Sequence, residues 1–261
     1  MKVPPLATSK PRFGPPISIE EEVKTGAIAY WQGEYCQSRA DKNGVSLLDY
    51  IHAIFGLLRQ KQAQTALIVG CAGGSLATML SRVGCDVVAI DVNPQAFVLA
   101  RRYFGLPAQV ECHVADGFNY LLATRRKFDA IVVDAFHGGR IASELLSQAF
   151  FAQAANRLRA GGVIFANVHV ASDSDSMPKR VAYCMSAASP DVRILDRHGA
   201  KYRNATVAAG AVRGLKRPAL LMPPAIEATK VAKALAAMQF LTRGRERKAA
   251  QGCCRRAPRR T

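Results

Sequence analysis

Residues 66–80, ALIVGCAGGSLATML, constrain this chain more than any other stretch. Ala66, Leu67, Ile68 and Val69 make an apolar run that stops at Gly70, and Cys71, Ala72, Gly73, Gly74 and Ser75 follow, all small. Leu76, Met79, Leu80 and Val83 then recur at i, i+3, i+4 and i+7. That pattern predicts a buried strand, a tight turn and an amphipathic helix. With no Cβ at Gly73 or Gly74, a ligand can approach the backbone of the turn closely. The first N–H groups of the helix point into the same space. The expected occupant is nucleotide-like.

The alternation continues downstream. Apolar runs at Asp86–Ile90, Ala108–Val114, Ala130–Val133 and Val163–Asn167 read as strands. Helical stretches separate them: Pro94 to about Phe104 with Asn93 as cap, roughly Phe118–Ala123, and one from Ser143 with Leu146, Phe150, Ala154 and Leu158 in step, stopped by Gly161-Gly162. This predicts an α/β fold with a doubly wound, mostly parallel Rossmann-like sheet of the class I methyltransferase type. Val192–Leu195 and Thr206–Ala209 are late strand candidates at the sheet edge, Lys179–Ala188 is a helix, and Glu227–Phe240 a final one. Ahead of this domain, Ile17–Glu20, Ala27–Gln32 and Glu34–Ser38 predict a small antiparallel β unit, and Leu47–Arg59 a helix. The expected organisation is a disordered proline-rich arm over 1–16, a β unit over 17–48, a nucleoside-binding domain over 49–240 and a basic disordered tail over 241–261.

Charge and cysteine content narrow the classes. The net charge is +17, of which the tail supplies +7 through eight Arg and Lys against Glu246. The excess elsewhere still favours acidic partners. A nucleic-acid partner for the basic tail is the less favoured reading. Seven scattered cysteines without a C-x-x-C pair signal neither a zinc site nor a disulfide framework, so no metal is expected and reduced thiols in a cytoplasm fit best. The prolines of MKVPPLATSK do not suit a signal peptide, and no apolar stretch reaches membrane-spanning length.

In an open parallel sheet the ligand lies beyond the carboxyl ends of the strands. Acids stand at three successive ends. Asp91 lies 21 residues after Gly70, where a carboxylate can accept ribose hydroxyls. Asp116 can accept from a purine amine, and Asp134 follows the next strand beside the turn. The competing role for Asp91 and Asp116 is to cap helices or turns. A dinucleotide fingerprint fits poorly, because Ala72 and Ser75 occupy its second and third glycine positions.

The stretch from Tyr50 to about Val170 resembles the spermidine synthase-like branch of the S-adenosylmethionine-dependent transferases. The resemblance rests on LIVGCAGGSL, AIDVNP, ARRYFGLP, VADGFNYL, FDAIVVDAF, LLSQAFFAQAANRLRAGGVIFANV and, more loosely, NGVSLLDYIHA. The apolar Ile68 and the preceding β unit also suit that branch. The resemblance implies that Gly70, Cys71, Ala72, Gly73 and Gly74 cradle the methionine-derived part of the donor. It places Asp91 and Val92 at the ribose and Asp116 and Gly117 at the adenine. It implies Asp134 as the catalytic acid–base residue, Gln37, Tyr50 and His137 near the acceptor, and a homodimer through the β unit. Two positions depart from the aminopropyltransferase pattern. Gly73 stands where that family has an aspartate, and His137 followed by Gly138 where it has an aspartate followed by proline. Both remove carboxylates that a dicationic diamine would use.

Two reactions stay open. Decarboxylated S-adenosylmethionine could donate an aminopropyl group to a small amine, or S-adenosylmethionine could donate a methyl group to another nucleophilic acceptor. Loss of an acid at Gly73 makes room for the donor carboxylate and favours methyl transfer. The family resemblance favours aminopropyl transfer and ranks slightly ahead. Asp134, or His137 as the second candidate, would take the proton. Cys71 has no base partner in sequence. A third reading, a nucleoside-binding scaffold without turnover, is opposed by the three acids.

Overall fold

The computed structural model describes residues 5–9, 14–137, 140–141 and 143–241, with backbone alone at 137, 140–141 and 143–144. The basic segment 242–261, expected to be disordered, lies outside the described residues. A four-stranded antiparallel sheet comes first, made by β1 (Ala7–Ser9), β2 (Ile17–Glu21), β3 (Ile28–Gln32) and β4 (Tyr35–Ala40) in that order. Helix α1 (Asp49–Gln60) leads into the main sheet. There, β5 (Thr65–Val69), α2 (Ser75–Arg82), β6 (Asp86–Asp91), α3 (Pro94–Tyr103), β7 (Glu111–Val114), α4 (Gly117–Ala123) and β8 (Phe128–Val133) alternate as expected. A short hairpin of β9 (Phe136–His137) and β10 (Arg140–Ile141) follows. Then come α5 (Gln148–Ala155), β11 (Leu158–Val170), α6 (Met177–Met185), β12 (Val192–Asp196), β13 (Arg203–Gly210), α7 (Ala228–Ala236) and β14 (Gln239–Phe240).

The eight strands of the main sheet lie in the order β14-β12-β13-β11-β8-β5-β6-β7. The pairs from β11 to β7 are parallel, and those joining β13, β12 and β14 are antiparallel. The chain runs from β5 outward through β6 and β7, then returns to β8 on the other side. The switch point is therefore between β5 and β8.

Strand residues alternate between two cores. Ala66 and Ile68 join the layer of α1, α2 and α7, while Leu67 and Val69 join that of α4, α5 and α6. The small sheet packs Ile17, Ile19, Tyr30 and Ala40 against Leu99 and Phe104 of the α3 region, which brings β4 over the glycine turn.

Three expectations are corrected. Ala7–Ser9, placed in a disordered arm by its prolines, pairs with Ile17–Ile19 as an edge strand. The helix beginning near Ser143 ends at Ala155, not at Gly161-Gly162. Leu158 already pairs with Phe128, and the glycines fall at the register shift inside β11. Gln239–Phe240 leaves the last helix to pair with β12, so the apolar Phe240 caps a sheet edge and not a helical face.

Candidate active site

Strand register sets the site. Val69 pairs with both Ile90 and Val133, Asp91 pairs with Val114, and Ala166 pairs with Val133. The residues just past these pairs, Gly70, Val92, Ala115, Asp134 and Asn167, therefore share one edge of the sheet. Gly70 has φ +99°, and a Cβ there would fall 2.2 Å from the Asp134 carbonyl oxygen. Only glycine lets the two strand ends close so tightly.

A crevice opens along this edge. It gathers Gly70, Cys71, Ala72, Asp91, Val92, Asp116, Gly117, Asp134 and Gln37 from the residues singled out in the sequence. Gly73 and Gly74 do not line it. Gly73 is buried, and its N–H donates to Ser38 Oγ at 3.0 Å, so β4 pins the turn from behind. A Cβ at Gly73 would meet Ser38 Cβ at 2.8 Å and the Phe104 ring at 2.9 Å. The turn leaves no room for the aspartate of the aminopropyltransferase pattern. Gly74, at φ +67°, caps α2 and borders a smaller recess beneath the turn. Ala72 is also left-handed, at φ +45°, a strain kept at a ligand-facing backbone.

The two outer acids have structural work as well. Asp91 accepts from Cys71 N–H at 2.9 Å and Asn93 N–H at 2.8 Å, which ties strand end to turn. Asp116 Oδ1 caps α4 through Asn119 N–H at 2.9 Å.

Asp134 differs from both. It touches the crevice but is otherwise enclosed by protein. Its Oδ1 accepts from Asn167 Nδ2 at 2.7 Å and its Oδ2 from the Tyr50 hydroxyl at 3.2 Å. Burial pushes its pKa up from 3.8 to about 7, against the lowering effect of the two hydrogen bonds. Asn204 Nδ2 donates to Asn167 Oδ1 at 2.9 Å and fixes the amide's orientation. Burial first, and the Asp134 charge second, hold the Tyr50 phenol well above its ordinary range. Tyr50 thus stays a donor. Burial, then the Asp91 carboxylate, also keep Cys71 as a thiol, unsuited to nucleophilic work.

Tyr50 and Asn167 also line a second cavity on the far side of Asp134, with Gln37, Phe136, His169, Arg197 and Asn204. Gln37 borders both cavities. The backbone of His137 pairs with Arg140, and its side chain is outside the described set. Ser38, Asn167, Arg197 and Asn204 escaped the sequence reading. Asn167 had a signal, a lone amide closing the apolar run VIFAN; Ser38 had none.

Comparison with known proteins bears on the fold. A family model described as a methyltransferase domain matches residues 66–162. A polyamine aminopropyltransferase of Chromobacterium violaceum is 33% identical over 161 residues, 59% of this chain and 61% of the relative. One from Neisseria meningitidis is 34% identical over 128 residues, 46% of this chain and 49% of the relative. The chain thus spans about half to three fifths of the length of these curated relatives. A probable spermidine synthase from Corynebacterium glutamicum superposes with TM-score 0.75 at 17% identity, covering 96% of this chain and 95% of that one. The whole architecture, small sheet included, is shared.

The fold is spermidine synthase-like.

A spermidine synthase solved in complex with the transition-state analogue AdoDATO also superposes, with TM-score 0.69 at 16% identity over 95% of this chain and 88% of that one. In this spermidine synthase-like fold no His, Cys, Asp and Glu cluster able to hold a metal ion lies among the described residues. Nor is any described helix long and apolar enough to cross a membrane.

Proposed function

We propose that the chain transfers an aminopropyl group from decarboxylated S-adenosylmethionine to a small amine. The observation that carries this is the carboxyl of Asp134, which lines the crevice and is held by Tyr50 and Asn167, two residues that line the second cavity. One cavity suits a donor and the other an acceptor. The similarity to polyamine aminopropyltransferases and to a spermidine synthase caught with AdoDATO supports the same reading.

The donor's residues fit the group. Gly70, Cys71 and Ala72 offer bare backbone to its alkyl arm, with Gly73 and Gly74 shaping the turn behind them. The carboxylate of Asp91, beside Val92, can take ribose hydroxyls. Asp116 Oδ2 and the Gly117 backbone lie where an adenine edge would sit. The donor supplies a carbon already activated by a sulfonium leaving group. The acceptor's neutral nitrogen forms the new C–N bond, the C–S pair stays on sulfur, and the released ammonium proton goes to Asp134. Positioning supplies much of the rate, and the base contributes about 10²–10⁴-fold. With a pKa of about 7, Asp134 is a carboxylate in a useful fraction of molecules near neutrality.

Methyl transfer from S-adenosylmethionine is the second reading, supported by the methyltransferase-domain model that matches residues 66–162. Gly73 does not favour it, because that position faces Ser38 and Phe104 and not the crevice. Thermal shift separates the two. Decarboxylated S-adenosylmethionine and 5′-methylthioadenosine are expected to raise the Tm more than S-adenosylmethionine does. Stronger stabilisation by the carboxylated donor would transfer the assignment to methylation. Formation of 5′-methylthioadenosine with an added amine is the direct assay.

A further inference from the structure

The second cavity bears on the identity of the acceptor, given the donor reading above. A diamine is a dication, and a site for one presents carboxylates at both ends of the molecule. Asp134 lies behind Tyr50 and Asn167, which line this cavity and hydrogen-bond its carboxyl. Among the described residues the charged lining consists of Asp49, Arg197 and Arg203. None of these offers a spare carboxylate. Asp49 is bound by Arg197 Nη1 at 3.2 Å. Arg203, buried, is matched by Asp196 at 2.7 Å and Asp173 at 2.9 Å. The remaining polar lining includes Asn167, His169, Asn204 and Tyr202.

Arg197 is not used up by Asp49. Its side chain is 29% exposed and lines the cavity, while its Nε is buried and has no hydrogen-bond partner among the described residues. The exposed part of a guanidinium can hold a carboxylate. Beyond Arg197 the cavity continues into a wide groove, sharing Leu48, Asp49 and Arg197 with it and bordered by Arg39, Lys230 and Lys233. Arg39 is neutralised by Glu22 and Glu227, and Lys230 by Glu227. Lys233 has no ion-pair partner among the described residues. Among the described groups these pairs cancel and leave Lys233 as the cation without a counter-charge, so no unpaired carboxylate awaits a second ammonium group.

We propose that the acceptor is a zwitterion, an amine carrying a carboxylate, whose amine meets Asp134 and whose carboxylate is held by Arg197. Gln37, at the junction of the two cavities, lies where the reacting amine would pass. The acid missing at His137 fits this class of acceptor, because an amino acid has one ammonium group and not two.

The test pairs molecules of equal length that differ at the far end. 4-Aminobutanoate is compared with 1,4-diaminobutane, and 5-aminopentanoate with 1,5-diaminopentane. Decarboxylated S-adenosylmethionine and S-adenosylmethionine are each used as donor, and release of the thioether product is followed. The expected result is a kcat/KM at least tenfold higher for the amino acids. In Arg197→Met that advantage disappears through a 10–100-fold rise in KM with kcat little changed. In Arg197→Glu, with a second carboxylate beside Asp49, preference passes to the diamine. Equal or faster turnover of diamines by the wild-type protein overturns the proposal, whether or not the variants fold. So does an unchanged KM in Arg197→Met. Absence of turnover with every acceptor, while 5′-methylthioadenosine still raises the Tm, overturns the acceptor assignment and leaves the donor site standing. Absence of both turnover and that Tm rise sinks the donor reading, and the acceptor assignment with it.

Discussion

The two cavities on either side of Tyr50 and Asn167 are built in different ways. The proposed donor side comes from one unbroken β-α-β-α-β-α-β stretch, Thr65 to Val133, and its key groups stand at paired strand ends or within two residues of them. The acceptor side is assembled from four distant pieces. These are β4 through Gln37, α1 through Tyr50, β11 through Asn167, and the region of β12 and β13 through Arg197 and Asn204. On the donor side, backbone and carboxylates fix one class of ligand. On the acceptor side, side chains from late and early segments can change charge without disturbing the sheet. That difference lets one donor architecture serve several acceptors.

The comparison breaks most severely at the residue both sides share. Asp134→Asn is expected to lower kcat by about 10²–10⁴-fold while the Tm rise with 5′-methylthioadenosine persists. In the wild-type protein kcat/KM is expected to climb with pH through about 7, and that limb should vanish in the variant. Stability moves the other way. A carboxyl whose folded pKa is raised from 3.8 to about 7 costs nothing below 3.8, an increasing amount up to about 7 and a constant amount above. Asp134→Asn should therefore be more stable than wild type at pH 8, on the order of 2 kcal/mol after allowing for crevice water, and no more stable at pH 3.5. Chemical denaturation at the two pH values measures this.

Asp91→Ala tests the donor side alone. It strands the N–H groups of Cys71 and Asn93, and calorimetry should show 5′-methylthioadenosine binding weakened by about 10–100-fold. KM for the acceptor should change far less.

Gly73→Asp asks whether the two sides can be exchanged piecemeal. Restoring the family's acid drives a Cβ into Ser38 and Phe104, so a loss of about 1–3 kcal/mol in urea unfolding is expected, with no gain in diamine turnover. A stable variant that gained diamine activity would show that the acceptor side is set at the turn.

The smallest effect is expected at Asn204→Ala. Asn167 loses its anchor, and its bond to Asp134, which lowers the carboxyl's pKa, weakens. The pH–rate midpoint should move alkaline by a few tenths of a unit, with kcat reduced several-fold. Rescue by Asn204→Gln would point to the amide contact and not to packing.

The donor side was largely readable because local rules governed it. Four apolar residues entering a glycine turn, then acids at strand ends, need only the βα period to be placed. Even there the sequence could not say that Asp91 and Asp116 hold backbone N–H groups as well as facing the crevice. Nor could it say that Gly73 turns its back on the crevice. The acceptor side was mostly hidden. Tyr50 and Gln37 came from the resemblance alone, and Arg197 lies 63 residues beyond Asp134 with nothing local to mark it. Antiparallel pairing of β13 with β11 brings Asn204 opposite His169 and within reach of Asn167, and no periodicity foretells a pairing across 35 residues. The late strands misled in a similar way. Phe240 continues an apolar helical spacing, yet it pairs with Leu195 at the sheet edge, where Arg193 lies over its ring at 3.6 Å.

A carboxyl poised near neutrality behaves as a latent charge. Under the donor reading, a sulfonium cation settling beside Asp134 would draw its proton away, so loading the first substrate also arms the group that serves the second. Binding would then release a fraction of a proton, visible as a buffer-dependent heat. The molecule would carry its costliest buried charge only while a counter-charge is there to stabilise it.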